Sequence, residues 1–164
     1  MKITALEEYG LRCLLQVAEH SHTGAISASD IAEAEGLSLS YTQKILRVLS
    51  KGDLVEARRG ANGGYVLTRP SDEMTVGDAI RVLGGVFDTK QICERHTGEL
   101  DECANRCDCG IRPVWEHISG FVVATLDGIS LAMLMNDDSE VSRHLQQKFP
   151  VESTVQQRAG ISGQ

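Results

Sequence analysis

No stretch of this chain approaches the roughly 18 consecutive apolar residues that a membrane-crossing helix needs, so no membrane partner is expected. Aromatic residues are scarce, at 4%. The opening Met1-Lys2-Ile3-Thr4 runs straight into an amphipathic pattern without an apolar h-region, so no secretory signal is read. A cytoplasmic protein is the expectation, and stable disulfides are rare in that compartment. No phosphate-cradling glycine loop is present, and no Ser/His/Asp or paired-carboxylate constellation sits in a strand setting. An enzyme is therefore not expected. Paired C-x2-C knuckles, which give zinc ribbons and fingers their chelating sulfurs, are also missing.

What is present is five cysteines and an uneven charge. The formal net charge of −7 argues against a nucleic-acid partner only until its distribution is examined. Residues 1–70 carry 8 Lys/Arg and 8 Asp/Glu, whereas residues 71–164 carry 8 and 15 and so hold the whole excess. Between 44 and 69 lie six basic groups, Lys44, Arg47, Lys51, Arg58, Arg59 and Arg69, against Asp53 and Glu56 alone. That local surplus suits a phosphate-facing patch. A solvated face of mixed charge would look the same by charge alone.

The order of elements decides between them. Thr4-Ala5-Leu6-Glu7 reads as a capping box, followed by Leu6, Tyr9, Cys13, Leu14 and Val17 at helical spacing. Cys13 falls on that apolar stripe and reads as a small core residue. The His20-Ser21-His22-Thr23-Gly24 turn follows, its histidines taken as solvent-exposed. A short helix over 29–35 stops at Gly36, and a second, capped by Ser38 or Ser40, runs to Lys51. Two short helices about a tight turn form a helix-turn-helix pattern. Short strands at Leu54–Ala57 and Tyr65–Leu67 then flank Arg58-Arg59-Gly60-Ala61-Asn62-Gly63-Gly64. A glycine-rich hairpin with arginines at its root, directly after a recognition helix, reads as a DNA-binding wing.

Beyond Arg69-Pro70-Ser71, Thr75 and Asp78 cap a further helix that ends at Gly84-Gly85. Residues 88–111 are polar and without periodicity, a loop. Pro113 opens a longer helix with Val114, Ile118, Phe121, Val122, Leu126 and Ile129 as its apolar stripe. That stripe serves either dimerisation or packing onto its own domain. A short helix near 130–135 follows, and residues 137–164 read as a disordered tail. The fold class is mainly α with a small β wing. Residues 1–70 form the winged helix-turn-helix, and 71–136 hold the cysteine loop and dimerisation helix.

Cys93, Cys103, Cys107 and Cys109 follow the spacing C-x9-C-x3-C-x-C. Four thiols so close in a polar loop suggest a shared metal centre, and thiolates suit iron–sulfur clusters and zinc alike. The spacing leaves an iron–sulfur cluster, zinc and a thiol redox switch open, with the first favoured because the zinc knuckles are absent. A small iron–sulfur electron carrier or enzyme is a more remote reading, since little chain remains beyond the DNA-binding half.

At this point the residues resemble the Rrf-type winged-helix regulators, a group that includes IscR and NsrR. Met1-Lys2-Ile3-Thr4 with Tyr9, the segment 36–41, Arg59-Gly60 through Leu67, Val76-Gly77-Asp78-Ala79-Ile80 and the approach from Cys109 to Trp115 carry the resemblance, which covers about residues 1–135. It implies a cytoplasmic homodimer, a repressor or activator, on double-stranded DNA with a pseudo-palindromic operator. Recognition helices would lie in major grooves and wings in the flanking minor grooves. It implies that Ser38, Ser40, Tyr41, Gln43 and Lys44, with Arg47, Arg58 and Arg59, face DNA. Gln43 stands where IscR has an acid, so the operator need not be the same. The resemblance also implies cluster ligation by Cys93, Cys103 and Cys109, of 2Fe–2S or 4Fe–4S type. Where IscR has a histidine ligand this chain has Arg112, so the fourth ligand is Cys107 or the partner subunit's Glu8, the carboxylate position used in NsrR-like members. His96 and His117 are left as loop and helix-surface residues. The implied signal is iron–sulfur supply, nitric oxide or redox stress.

Overall fold

The computed structural model describes residues 3–60, 63–85, 94, 97–105 and 108–150. Helix α1 (Ala5–Glu19) begins where the sequence places it: Thr4 Oγ1 accepts the Glu7 N–H while the Glu7 carboxylate accepts the Thr4 N–H. Two of the helix's orphan amides are thereby satisfied reciprocally. Ser27 caps α2 (Ala28–Glu35), which Gly36 ends in the left-handed conformation at φ +63. Ser38, rather than Ser40, caps α3 (Leu39–Lys51) by accepting the Tyr41 N–H.

Strands β1 (Val55–Arg58) and β2 (Gly64–Leu67) form an antiparallel hairpin, with Val55 opposite Leu67 and Arg58 opposite Gly64. The hairpin is stitched to the helical unit by Ile26, which exchanges backbone hydrogen bonds with Tyr65 at 3.1 and 2.8 Å. Its tip residues Ala61 and Asn62 lie outside the described residues. Helix α4 (Val76–Leu83) starts at a second capping box, Thr75 with Asp78. Helix α5 (Arg112–Asp127) carries Pro113 in its first turn, where the missing N–H costs nothing. The short α6 (Leu131–Leu134) and α7 (Asp138–Lys148) complete the described chain.

One apolar core unites these elements. Leu14 and Val17 of α1, Ile31 of α2, Ile45 and Leu49 of α3, Val55 of β1, Met74, Leu83 of α4 and Leu131 of α6 are all buried within it. Each such side chain contributes about 1.5–3 kcal/mol, which holds α3 firmly beneath the hairpin. Cys13 lies in this core as expected, with no exposed surface.

Three details differ from the sequence reading. Ile129 belongs to a backbone connection instead of the α5 stripe: α5 ends at Asp127, and the Ile129 carbonyl accepts the Val76 N–H at 2.8 Å. The apolar stripe of α5 also divides: Val122 and Leu126 are partly covered, while Val114, Ile118 and Phe121 stay exposed. Where a disordered tail was expected from 137, Asp137 caps α7 through the Ser139 and Glu140 N–H groups. Lys148 Nζ donates to the Gly128 carbonyl at 2.6 Å, and Phe149 packs on Gly128, so the end of α7 is seated on the end of α5. Residues 151–164 lie outside the described residues.

Candidate nucleic-acid interface and cysteine loop

Helical periodicity sorts α3 into two faces. Thr42, Ile45, Leu46 and Leu49 point into the core, and Ser40, Gln43, Lys44 and Arg47 point outward. The outward group has the mix of amide donor–acceptor and basic side chains that base edges and phosphates accept. Among the described residues, no ion pair restrains Lys44, Arg47 or Arg59. Ser38 is partly committed, since its hydroxyl caps the helix and lies 3.3 Å from Ser40 Oγ.

Tyr41 is placed differently from its neighbours. It is half-buried, and its ring meets Tyr9 of α1 edge to face, centroids 6.1 Å apart at 85°. Such pairs add stability beyond the area they bury. Arg12 extends the arrangement: its guanidinium lies 5.6 Å from the Tyr9 ring centroid, and its Nε donates to Glu35 at 2.6 Å. The Glu35 hydrogen bond and charge raise the arginine pKa further. Tyr9, Arg12, Glu35 and Tyr41 thus clasp α1, α2 and α3 together along one edge, fixing the angle at which α3 is presented.

The two wing arginines also differ. Arg58 leans on Glu56, with Nε and Nη2 both 3.3 Å from Oε1, and both side chains are exposed. Arg59 stands exposed beside Gly60, whose φ of +120 turns the chain in a conformation that a side chain would strain. Gly63 and Gly64 pass too close to the Arg58 and Ile26 carbonyls to admit a Cβ. The glycines therefore serve the hairpin's own close turns.

Behind the wing, Asp78 joins the start of α4 to the chain leaving β2. Arg69, just beyond β2, donates to its Oδ2 at 2.7 Å, and Arg81 Nη1 lies 3.5 Å from its Oδ1. Partial burial works against ionisation of Asp78. The Thr75 N–H and hydroxyl, Arg69 and Arg81 outweigh that and hold its carboxyl below the ordinary carboxylate range.

Of the cysteines, Cys103 and Cys109 are half-buried and in no disulfide. The Cys109 carbonyl accepts the Arg112 N–H at 3.3 Å, tying that position to the start of α5. Cys93, Cys107 and His96 lie outside the described residues. Among the described residues, no three His, Cys, Asp or Glu side chains gather closely enough to hold an ion. Glu8 is exposed on the outer side of α1, and His117 is exposed on α5. The chemistry of the donor set nonetheless fits a thiolate-held centre, because Cys103 and Cys109 are in no disulfide and are partly accessible. Cys13 is different in kind. Burial, with the charge of Glu35 adding to it, pushes its thiol up to about 11, so it keeps its proton in the core.

This arrangement of helices, hairpin and trailing helix can be compared with known proteins. The Rrf2 family model, described as "Iron-dependent Transcriptional regulator", matches residues 3–137. The chain belongs to the Rrf2 family. Among curated relatives, the HTH-type transcriptional regulator IscR of Aliivibrio salmonicida is 35% identical over 138 residues, covering 84% of this chain and 79% of its own. Protein rrf2 of Nitratidesulfovibrio vulgaris is 32% identical over 139 residues, covering 85% and 90%. Of solved structures, CymR, the global cysteine regulator of B. subtilis, superposes with a TM-score of 0.64 at 31% identity, covering 82% of this chain and 95% of that one. T. potens IscR gives 0.64 at 28% identity, covering 95% and 96%. This Rrf2 chain is accordingly a winged-helix transcriptional regulator and not an enzyme. No helix among its described residues is long and apolar enough to cross a membrane.

Sequence reasoning overlooked Thr42 and the Tyr9–Tyr41 contact. Thr42 Oγ1 is fully buried with no hydrogen-bond partner among the described residues. Its position three residues before Ile45 was the available signal.

Proposed function

We propose that this chain works as a homodimer that reads a pseudo-palindromic operator, with binding governed by an iron–sulfur cluster held in the 93–109 loop. The observation that carries DNA reading is the outward face of α3, Ser40, Gln43, Lys44 and Arg47, with Arg59 exposed on the adjoining wing. In this reading residues 1–70 bind DNA, with Ser38, Tyr41 and Arg58 completing the contact set, and 71–136 sense and dimerise. Support for dimerisation comes from α5, where Val114, Ile118 and Phe121 form an exposed apolar row with Ile111 and Trp115 beside it. Contiguous exposed apolar rows of this kind mark interaction surfaces.

Cys93, Cys103 and Cys109 would hold the cluster, with Cys107 or the partner subunit's Glu8 as fourth ligand. When bound, a cluster supplies iron that responds to electrons and to small reactive molecules. Ligation by these cysteines would fix the loop to the start of α5 through Cys109, and α5 bears on α4, which in turn packs on α1 and α3 of the DNA-reading unit. The state of the loop then sets how two recognition helices are spaced across the dimer.

A second reading keeps DNA binding and replaces the cluster by reversible thiol oxidation. It is favoured by the partly accessible, unbridged thiols of Cys103 and Cys109 and by the likeness to a global cysteine regulator. Anaerobic purification separates the two. Broad visible absorption, lost together with a change in operator affinity on treatment with a chelator and oxidant, supports the cluster. A colourless protein whose operator affinity changes with peroxide and recovers with a thiol reductant supports the switch. A coloured protein that ignores DNA in every state would refute both.

A further inference from the structure

The observation is a leucine in an unusual place. Leu39 is 46% exposed and is the first residue of α3, immediately after its Ser38 cap. Among the described residues, the other large apolar side chains left in water are Ile3, Leu100 and the row that begins at Ile111 and runs along α5. Among the described residues between α1 and α4, Leu39 is the one large apolar side chain so exposed. A single exposed leucine is ordinary on a protein surface. What distinguishes this one is its position, because the N-terminal residues of a recognition helix are the ones that approach base edges.

Its neighbours define the chemistry. The Ser38 hydroxyl is partly committed, since it accepts the Tyr41 N–H. Gln43 lies one helical turn further on the same side and is exposed. A glutamine amide matches the N6/N7 edge of adenine, and an apolar side chain matches the C5-methyl group of thymine. In the major groove the methyl is the sole apolar feature a base pair presents, so a leucine at this position has one partner there.

We propose that Leu39 is a specificity-determining residue that packs against the C5-methyl of a thymine in each operator half-site, beside the base pair read by Gln43. This rests on the DNA-reading function proposed above. Leu39 discriminates by desolvation: the methyl and the leucine leave water together when thymine is present, and nothing replaces that gain when it is absent.

The test uses a duplex recovered by the full chain from a random-sequence pool. Each thymine is then replaced in turn by uracil, which removes the methyl group and leaves every hydrogen-bonding edge intact. The wild-type chain is expected to lose about fourfold in affinity at one thymine per half-site, the value of one buried methyl group. Leu39→Ala, checked as folded by its circular dichroism, is expected to bind the thymine and uracil duplexes equally. Three results overturn the inference while leaving the DNA-reading function standing: a recovered site without thymine in its half-sites, a wild-type chain indifferent to uracil everywhere, or a Leu39→Ala chain with an unchanged uracil penalty. Failure to enrich any sequence from the pool would instead remove the DNA-reading function itself, and this inference with it.

Discussion

Arg81 on α4 grips Asp127 at the end of α5, with Nη2 2.6 Å from Oδ1 and 2.5 Å from Oδ2. Both side chains are about two-fifths exposed, so the pair lies near the upper end of the surface range, about 1 kcal/mol. Arg81 also faces Asp78, which holds Arg69 at the exit of the wing. A continuous run of charges therefore joins the wing to the helix that follows the cysteine loop. Asp127→Ala is expected to lower Tm by about 2–4 °C. A double-mutant cycle with Arg81→Ala should recover about 1 kcal/mol of coupling. If the run transmits the state of the loop, Asp127→Ala also narrows the gap in operator affinity between the two states. A gap equal to wild type would show that transmission takes another route.

Asp78 sets an acid limit. Its folded-state pKa is depressed, so its stabilising contribution is fully present above the ordinary carboxylate value and is lost as pH falls through the lower folded value. Stability should therefore decline below about pH 4. Asp78→Asn removes that part of the decline, making the loss of Tm between pH 5 and pH 2.5 (about the span of carboxylate titration) shallower than in wild type.

The wing arginines should behave unequally. Arg59→Ala is expected to weaken operator binding by about 1–3 kcal/mol at fixed salt if it enters the minor groove. Arg58 must first leave Glu56. Glu56→Gln should therefore tighten binding and steepen its salt dependence, read from titrations at several salt concentrations.

Thr42 carries a buried hydroxyl without a partner among the described residues. Thr42→Val keeps its shape and removes the desolvated group, so a gain of about 1 kcal/mol is expected. Tm should rise by about 2–4 °C with operator affinity unchanged.

If the loop holds the proposed cluster, replacing Cys93, Cys103 or Cys109 by Ala abolishes its visible absorption while the chain stays folded. Cys13→Ala should retain the absorption, because Cys13 is a core residue. Glu8→Ala and Cys107→Ala then identify the fourth ligand. A shifted spectrum in the first with none in the second assigns the carboxylate, and the reverse assigns an all-cysteine site within one subunit.

Local chemistry was the most legible part of the sequence. The Thr4–Glu7 and Thr75–Asp78 boxes and the Ser38 cap involve residues within three positions of one another, and each appears in the structure. Contacts between distant segments were hidden. Nothing near Tyr41 reveals that its ring turns to Tyr9, because that depends on how α1 crosses α3. Helix α7 was obscured by its polar composition, although Val141, Leu145 and Phe149, all partly covered, recur every four residues. The cysteine loop revealed its donor types through spacing, but without periodicity it gave no guide to how the thiols are arranged.

Two neighbouring residues of α4 rest on glycines from two other helices. Leu83 fills the space where Gly10 of α1 would carry a Cβ, and Val82 does the same at Gly52, which ends α3. Any side chain at either position forces Leu83 or Val82 out of its place. A random screen for loss of this regulator should accordingly return hits at Gly10 and Gly52 alongside those in the cysteine loop and on α3. The products of such alleles would be scarce in the cell, whereas a chain defective only in reading DNA would accumulate normally.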